Sequence, residues 1–374
     1  MVNVLMVLPR YLPIIGGAEI QCERLIKALG SYENVNITGV VTRRVERTLV
    51  KKELVKGVPV RRLQPGGTGV LSEYIFCVIL FFYLIFKSKK YDIIHCHASS
   101  IFGIAVSLVG AIANKKVIVK VSTNGEVSAM QKGYFKKKIV LFASKYCTYI
   151  ALNREGYEEV IECIPNANVS LIPNGIDFNY INNDVDSSIR RELEDKFGHD
   201  VFVCLFVGRL VARKGIKDLM SAASLLLKRT DKNFCFLFVG DGNLQRDAES
   251  FDSILKNDRV VMEGRKENIT PYLIATDVFV SPSYNEGLPN TVLEALSCGK
   301  KCILSDIRPH LELKDEHPRY IRTFKSRDVE MLADCIDIES STQEGLSPFD
   351  NVLIDKYDIK NVALRYMELY RGIK

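Results

Sequence analysis

Short apolar segments alternate with helical segments along nearly the whole chain, and this alternation constrains the fold more than any other feature. Strands that alternate with helices pair in parallel, so the pattern predicts two doubly wound α/β sheets separated by the polar segment Asn179–Ser188. The predicted strands are Asn3–Leu8, Val35–Val41, Val58–Arg62, Asp92–His97, Val117–Val121, Thr148–Leu152 and Val169–Ile172, and then Val201–Val207, Asn233–Val239, Arg259–Met262, Val278–Ser281 and Lys301–Ser305.

Chain length supports this division into two domains. The 374 residues exceed what one core usually holds, and 47% hydrophobic with 26% charged residues is a globular composition. We predict two Rossmann-like domains that face each other across a cleft. The predicted segments are an N-terminal domain at 1–178, a linker at 179–200, a C-terminal domain at 201–357 and a last helix within 358–374.

The ten cysteines show no CxxC pair and no repeated spacing. Several lie in apolar strand-like or helical segments, so we interpret them as reduced packing residues, which favours a cytoplasmic location. Val2–Leu8 is a short strand that ends at Pro9, and no cleavable leader is therefore expected.

Positive charge is concentrated in the first 150 residues, which contain 22 Lys and Arg against 8 Asp and Glu. Such a surface favours an anionic partner, and the candidates are a membrane surface, a lipid diphosphate acceptor or an acidic glycan. No nucleic-acid module is recognisable, so nucleic acid is not expected as a partner.

One uncharged segment, Tyr74–Phe86, is flanked by Lys87, Lys89 and Lys90. Thirteen residues are too few for a comfortable membrane span, and two interpretations stay open. The first, which is the commoner use of such a run, is a core helix beneath the N-terminal sheet. The second is an interfacial helix on an anionic leaflet, which would place the protein peripherally on the inner face of the cytoplasmic membrane.

Two glutamates stand eight residues apart near the C-terminal third, Glu286 in a predicted loop and Glu294 on the helix that follows. Pro289 is expected at the first helical position, which would direct helix N–H groups toward a bound diphosphate. Glu286 could then reach sugar hydroxyls, and Glu294 could accept both hydroxyls of a ribose. The alternative is that both are ordinary surface residues.

Other strand ends have residues suited to phosphate or sugar. Arg209 and Lys214 follow a buried strand and match phosphate oxygens, although solvated cations are common in such turns. Gly16 and Gly17 would allow the backbone to approach phosphate, or they form only a turn. His97 ends a strand and could serve as a neutral imidazole or an imidazolium, and His95 should share its face.

Together these segments resemble the retaining family-4 (group 1) glycosyltransferases. The family's paired glutamates match Glu286 and Glu294, and its G-R-L…K-G turn matches Gly208–Gly215. The remaining matches are Gly16-Gly17-Ala18-Glu19, Asp92-Ile93-Ile94-His95-Cys96-His97 and Ile172-Pro173-Asn174-Gly175-Ile176-Asp177.

The resemblance implies the GT-B fold, with an acceptor-binding domain at 1–178, a nucleotide-sugar-binding domain at 201–357 and the last helix, Ile359–Arg371, crossing back onto the first domain. It also implies transfer of a hexosyl or N-acetylhexosaminyl group, with retention, from a UDP- or GDP-sugar to a lipid-linked or cell-surface glycan precursor, as in polysaccharide, lipopolysaccharide or capsule biosynthesis. No cofactor or divalent metal is expected. Asp184-Val185-Asp186 has the spacing of a metal-binding D-x-D but lies in the predicted linker.

Catalytic roles are expected for Glu286, which would orient the sugar, and for His97. The expected donor-binding residues are Gly16, Gly17, Arg209, Lys214, Gly264, Arg265, Gly287, Leu288, Asn290, Thr291 and Glu294. Two segments depart from the family pattern: Asp306–His310 replaces a small glycine-containing turn, and Asn124-Gly125-Glu126 replaces His-Gly. The alternatives to a transferase are a nucleotide-sugar epimerase or hydrolase, and a non-catalytic nucleotide-sugar-binding subunit.

Overall fold

The computed structural model describes residues 1–14, 16–64, 69–132, 134–178, 187–242, 253–342 and 351–372. The chain divides into two compact units. The first unit comprises Met1–Ile176 and Asp355–Lys374, and the second comprises Asp177–Ile354. Each unit is built around one sheet with helices on its faces, which confirms the predicted doubly wound α/β class.

The first unit contains an eight-stranded sheet in the order β3-β4-β2-β1-β5-β6-β7-β8. All neighbouring strands pair in parallel except β3 and β4. Strand order reverses between β1 and β5, so the loops after these two strands flank the topological switch point. The strands are Val2–Leu8 (β1), Val35–Arg43 (β2), Lys52–Val55 (β3), Val58–Leu63 (β4), Ile93–Cys96 (β5), Lys116–Lys120 (β6), Thr148–Ala151 (β7) and Asn168–Leu171 (β8).

Helices cover both faces of this sheet, because the central strands are apolar on both sides. One core lies between the sheet and α2, α3, α5 and α6, and the other lies between the sheet, α1 and the last helix of the chain. The helices of the N-terminal part are Gly17–Leu29 (α1), Val70–Lys87 (α2), Ile101–Ala113 (α3), Glu126–Met130 (α4), Tyr134–Ala143 (α5) and Arg154–Cys163 (α6). Short 3-10 turns follow α2 at Ser88–Lys90 and α5 at Ser144–Tyr146.

The second unit contains a fully parallel six-stranded sheet in the order β11-β10-β9-β12-β13-β14. Counted within the unit, this is the Rossmann order 3-2-1-4-5-6, whose switch point lies between β9 and β12. The strands are Phe202–Val207 (β9), Phe234–Val239 (β10), Val260–Gly264 (β11), Val278–Ser281 (β12), Lys301–Ser305 (β13) and Ile321–Phe324 (β14).

The helices in the rest of the chain alternate with these strands. They are Ser188–Phe197 (α7), Ile216–Arg229 (α8), Thr270–Ala275 (α9), Asn290–Ser297 (α10), Arg308–Glu316 (α11), Val329–Ser341 (α12), Asn351–Tyr357 (α13) and Ile359–Gly372 (α14). The last of these, α14, belongs to the first unit, where it packs on α1 through Tyr366 and Tyr370.

Several expectations about elements were incomplete or wrong. The prediction missed β3 and β14, which are four-residue strands at sheet edges. The predicted linker 179–200 contains α7, an amphipathic helix that packs on α9, while its part 179–186 lies outside the described residues. Pro289 precedes α10 as its N-cap and is not the first helical residue.

The uncharged segment Tyr74–Phe86 belongs to a longer helix than expected. Within the described residues, Val70–Lys90 is the one stretch whose length and mean hydropathy of 2.0 would suffice to cross a membrane, and 22% of it is buried. Phe76, Leu80 and Leu84 lie in the core, whereas Val78 and Phe82 are exposed. The core interpretation is therefore correct for only one face of α2.

Candidate active site

Two loops pack against each other at the switch point of the second unit, and they contain Glu286 and four of the eleven predicted donor-binding residues, namely Arg209, Lys214, Gly287 and Leu288. One follows β9 and the other follows β12. Gly215 adopts a φ of 65°, and a Cβ there would lie 1.9 Å from the Pro282 carbonyl oxygen. The Tyr284 N–H donates to the Arg213 carbonyl at 2.9 Å. Glycine at 215 thus allows the two loops to touch through their backbones.

Glu286 is buried within this contact, with 6% of its surface exposed. Its Oε1 accepts a hydrogen bond from Lys214 Nζ at 2.5 Å, and Arg213 Nη1 lies 3.6 Å from its Oε2. Burial alone would raise the pKa of the Glu286 carboxyl, but the charge and hydrogen bond of Lys214, aided by Ser283 and Arg213, hold it below its usual value. The carboxylate is therefore charged and oriented at neutral pH.

Arg213 is a site residue that the sequence prediction missed, since it emphasised Arg209 and Lys214. The 3-10 turn Ala212–Lys214 brings residues 213 and 214 to Glu286. The Arg209 side chain is exposed, and no ion pair to Glu286 is found for it. Arg213 stands next to Lys214 in the sequence, so considering every cation of the loop would have included it.

His310 is a second residue that the prediction left without a role. It is completely buried at the start of α11, and its Nδ1 lies 3.1 Å from the hydroxyl oxygen of Ser305 and 3.0 Å from its carbonyl oxygen. The Ser305 hydroxyl donates to the Ser283 carbonyl at 2.5 Å. Burial lowers the pKa of His310 to about 4, although Glu286 acts in the opposite direction. The segment Asp306–His310, which differs from the family pattern, thus supplies a neutral imidazole beside the Glu286 loop.

Glu294 lies on α10, eight residues after Glu286, and is also buried. Between them, Gly287 and Leu288 are buried, while Asn290 and Thr291 are half-buried in the first turn of α10. The first intrahelical bonds run from the N–H groups of residues 292 and 293 to the Pro289 carbonyl. The N–H groups of Asn290 and Thr291 therefore precede the helical ladder, as expected for a helix N-terminus.

Two further donor-binding candidates, Gly264 and Arg265, lie at the end of a neighbouring strand. The Gly240 N–H donates to the Gly264 carbonyl at 2.8 Å, and a Cβ at residue 240 would lie 1.9 Å from the Gly208 carbonyl oxygen. The loops after β9, β10 and β11 are thus in backbone contact. Gly264 ends β11, and Arg265 follows it with an exposed side chain.

In the first unit, Gly16 and Gly17 form the start of α1. A Cβ at residue 16 would lie 2.5 Å from Oε2 of Glu19, which is itself buried. Gly16 therefore makes room for a carboxylate of this chain, a reason for glycine that the prediction did not consider. Arg10 Nε lies 3.7 Å from the other carboxylate oxygen of Glu19.

His97 follows β5 and is buried, and its ring stacks on that of His95 with 4.2 Å between centroids. The two rings share one face, as side-chain alternation predicts. His95 Nδ1 lies 2.8 Å from the Tyr370 hydroxyl, whereas His97 has no hydrogen-bond partner for either ring nitrogen within the described residues. Burial is the main cause that places the pKa of His97 well below its usual value, and the charges of His95 and Lys120 act in the same direction. The neutral imidazole is therefore favoured.

A buried lysine lies near this histidine pair. Lys120 Nζ donates to Asn174 Oδ1 at 2.7 Å, and burial lowers the pKa of Lys120 to about 8. Gln21 exchanges two hydrogen bonds with the Gly175 backbone, at 2.9 and 3.1 Å. The segment around Asn174 and Gly175, one of the five sequence motifs, thus holds β8 against α1 and Lys120.

The segment Asn124-Gly125-Glu126 is held by carboxylates of α6 and by its own hydrogen bonds. Asn124 donates to Glu155 at 2.5 Å, and the Gly125 N–H donates to Glu159 at 2.8 Å. The Ser99 hydroxyl donates to Glu126, whose pKa is raised by burial against the effect of that bond.

The described residues contain no group of three or more His, Cys, Asp or Glu side chains that could hold a metal ion. Asp184-Val185-Asp186 lies outside the described residues. All ten cysteines are unpaired, and most are buried.

The fold and the two packed loops define the chain as an α/β protein. Its second, Rossmann-type unit contains a buried carboxylate that is paired with two cations beside a helix N-terminus. Each of the two units matches a known family of proteins. Residues 15–180 match the model of Glycosyltransferase Family 4, and residues 201–338 match that of Glycosyl transferases group 1. The chain belongs to the family-4, group 1 glycosyltransferases.

Curated relatives fit this family. The UDP-Gal:alpha-D-GlcNAc-diphosphoundecaprenol alpha-1,3-galactosyltransferase of Escherichia coli is 31% identical over 235 residues, which are 60% of this chain and 60% of that protein. The N,N'-diacetylbacillosaminyl-diphospho-undecaprenol alpha-1,3-N-acetylgalactosaminyltransferase of Campylobacter jejuni is 27% identical over 172 residues, 45% of this chain and 44% of that protein. The matches thus span 60% or less of the length of these two relatives.

Solved structures show the same fold over the whole chain. The structure of Anabaena HepE in complex with UDP and glucose superposes with a TM-score of 0.78 at 17% identity, and the match covers 100% of both chains. Together with the sheet orders above, this likeness establishes the GT-B fold class.

Proposed function

We propose that this protein is a retaining glycosyltransferase that moves a hexosyl or N-acetylhexosaminyl group from a UDP- or GDP-sugar to a hydroxyl of a lipid-linked glycan precursor. The observation that supports this most is the placement of Glu286 against Lys214 and Arg213 at the switch point of the second unit. Ligands of open α/β sheets bind at such a point. Cations, a helix N-terminus and an oriented carboxylate occur there together.

The proposed mechanism assigns charge stabilisation to the second unit. As the glycosidic bond breaks, negative charge develops on the departing diphosphate. Lys214, Arg213 and the N–H groups at the start of α10 would stabilise that charge, and Arg209 is exposed where it could add to them. Glu286, fixed by Lys214, would accept hydrogen bonds from the sugar, and Glu294 would accept the ribose hydroxyls.

The scheme needs no divalent ion, because two or three cations would neutralise the diphosphate. Retention would follow from attack by the acceptor on the face that the diphosphate leaves, with the diphosphate taking the acceptor proton. The acceptor is proposed from the relatives, since two of their names specify saccharides on diphospho-undecaprenol. An acceptor of this type would place the protein in the cytoplasm at the inner face of the membrane, in polysaccharide, lipopolysaccharide or capsule biosynthesis.

The test is an incubation of the full chain with radiolabelled UDP- and GDP-sugars, with and without a saccharide on a polyprenyl diphosphate. We expect labelled lipid only when acceptor is present, unchanged activity with EDTA, and an α-linked product. If the donor sugar is epimerised without acceptor, the protein is an epimerase, and if free sugar is released without acceptor, it is a hydrolase. Donor binding without turnover would indicate a binding subunit. Activity abolished by EDTA and restored by magnesium would refute the metal-free scheme.

A further inference from the structure

The outer face of α2 is apolar along its whole length. Exposed side chains recur with helical spacing at Leu71, Tyr74, Val78, Phe82 and Phe86, and their exposed fractions range from 45% to 80%. The opposite face of the same helix is buried in the core of the first unit. At about 1.5 Å per residue, the 18-residue helix presents an apolar strip about 27 Å long.

Exposed apolar side chains also occur on a second helix of the same layer. Helix α3 contacts both α2 and α5, so the three helices form one layer on the same face of the sheet. On α5 and the turn after it, Tyr134, Ile139, Phe142 and Tyr146 are also exposed. About half of the large apolar side chains that are exposed in the described residues lie on this layer. The concentration of so many exposed apolar side chains on one helical layer indicates a binding surface.

Exposed lysines border the apolar strip, and acidic residues are scarce there. Lysines follow α2 and occupy α5 and the turn after it, and all are exposed: Lys87, Lys89, Lys90, Lys136, Lys137, Lys138 and Lys145. On α2 the acidic residue is Glu73, which is half-buried and lies 3.3 Å from Arg43. Neither α5 nor the two 3-10 turns contain an acidic residue.

We propose that the outer face of α2 and α5, here called the apolar–basic face, docks in the plane of an anionic lipid bilayer. Apolar side chains flanked by lysines match the acyl boundary and the acidic headgroups of such a surface. Lys138 Nζ lies 4.5 Å from the centre of the Tyr134 ring, so this lysine can keep its charge at the headgroups while its stem covers apolar surface.

The observations favour a bilayer over the other occupants. A symmetric pair of chains joined through this face would bring the lysine clusters of the two copies together, and like charges at an interface are unfavourable. A membrane-spanning α2 would have to leave the core, where Phe76, Leu80 and Leu84 lie beneath the sheet. The inference adds a membrane partner to the proposed function, and vesicle binding without donor sugar tests it separately from transfer.

The experiment measures flotation of the full chain with vesicles of phosphatidylcholine alone and of phosphatidylcholine mixed with phosphatidylglycerol. We expect binding to the anionic vesicles at low salt, and release by high salt or alkaline carbonate. The double variant Val78→Ser, Phe82→Ser should bind at least about tenfold more weakly, since apolar area leaves the bilayer. Substitution of Lys136, Lys137 and Lys138 by Gln should weaken binding about fivefold per lysine.

Two matched controls make the same types of substitution at exposed positions outside the apolar–basic face. Ile338→Ser with Leu364→Ser alters two side chains of similar exposure, and Gln at Lys196, Lys228 and Lys360 removes the same charge from other exposed sites. Both controls should bind like the unmodified protein, and all variants should keep its melting temperature. Equal binding by Val78→Ser, Phe82→Ser and its control overturns the proposal, as does absence of binding. Resistance to carbonate would indicate a span, and a lipid-free dimer lost in Val78→Ser, Phe82→Ser would indicate a second copy.

Discussion

The two units place different chemistry at the same topological position, beyond the switch point of a parallel sheet. In the second unit the buried group is Glu286, a carboxylate paired with Lys214 and Arg213. In the first unit it is His97, an imidazole that lies against His95 and has a strongly lowered pKa. One fold can therefore hold a charged site or a neutral one, depending on whether the loops after the strands supply a counter-charge.

The difference has a physical cause in the loops. Gly215 allows the loop after β9 to touch the loop after β12, and Lys214 thereby reaches Glu286. In the first unit the cation that acts on the two histidines is Lys120, whose hydrogen bond goes to the neutral Asn174. Ionised groups are thus stabilised in the second unit and disfavoured around His97.

The largest expected effect comes from removing the charge of Glu286. Glu286→Gln keeps the size of the side chain but removes the carboxylate that Lys214 orients, so transfer should fall by a factor of about 10³. Steady-state kinetics with labelled donor should show this loss in kcat, and donor binding measured by calorimetry should change little.

Glu294→Ala serves as the contrasting variant, because Glu294 is proposed to bind only the ribose. It should raise the KM for donor with little effect on kcat. Equal and small effects of Glu286→Gln and Glu294→Ala on all constants would contradict both proposed roles.

The second effect in size concerns Lys214. Lys214→Met removes the main counter-charge of Glu286, so transfer should fall by a factor of about 10². The pKa of the Glu286 carboxyl should also rise, because burial would then act with less opposition. The acid limb of the kcat profile should therefore move to higher pH, which kinetics between pH 4 and pH 8 would measure.

Lys228→Met is the matched control, since Lys228 is exposed at the far end of α8. It should leave both the rate and the pH profile unchanged. An acid limb that stays in place in Lys214→Met would show that the ion pair does not set the protonation of Glu286.

The meeting of Lys214 and Glu286 could be predicted from sequence, because both follow strands that the alternation pattern assigns to parallel sheets. The choice between Arg209 and Arg213 could not, since it depends on the 3-10 turn Ala212–Lys214 and on the contact at Gly215. Such a contact is long-range, and no local pattern encodes it.

His310 and the helix in the predicted linker show two further limits of sequence reasoning. His310 is completely buried and contacts Ser305, whose hydroxyl donates to the Ser283 carbonyl in the Glu286 loop. This contact joins segments distant in sequence, although the position of His310 just after β13 is a usable signal. The polar composition of Ser188–Phe197 favours a linker, yet its one buried residue, Leu193, and its contacts with α9 stabilise a helix there. Membership in the family supplied the order of motifs but not these local contacts.

A smaller effect is expected on the acid stability of the second unit, through the buried His310. The pKa of His310 is about 4 in the folded protein, below the usual value of about 6.5 in an unfolded chain. Between these values the unfolded chain binds more protons, so stability is full above pH 6.5 and falls as the pH drops toward 4. His310 alone should cost about 2 kcal/mol between pH 7 and pH 5.

Urea unfolding of the full chain at pH 7 and pH 5 measures this loss. His310→Asn cannot titrate in this range, so its stability should depend on pH less steeply than that of the unmodified protein, by the same amount. His199→Asn is the control for loss of a histidine, because the side chain of His199 is exposed. Identical slopes for the His310→Asn variant and the unmodified protein would show that His310 is accessible to protons in the folded state.

The smallest effect is expected at His97, and it tests the neutral half of the comparison. A neutral imidazole that bonds a sugar or acceptor hydroxyl contributes about one hydrogen bond, so His97→Asn should lower kcat/KM by about tenfold. Because the pKa of His97 lies well below its usual value, no acid limb near pH 6.5 should arise from it in the unmodified protein. A limb near pH 6.5 that disappears in His97→Asn would instead show that His97 acts as an imidazolium, and both units would then use charge. With His199→Asn as the control for loss of a histidine, the pH profile decides whether the first unit orients hydroxyls or stabilises charge.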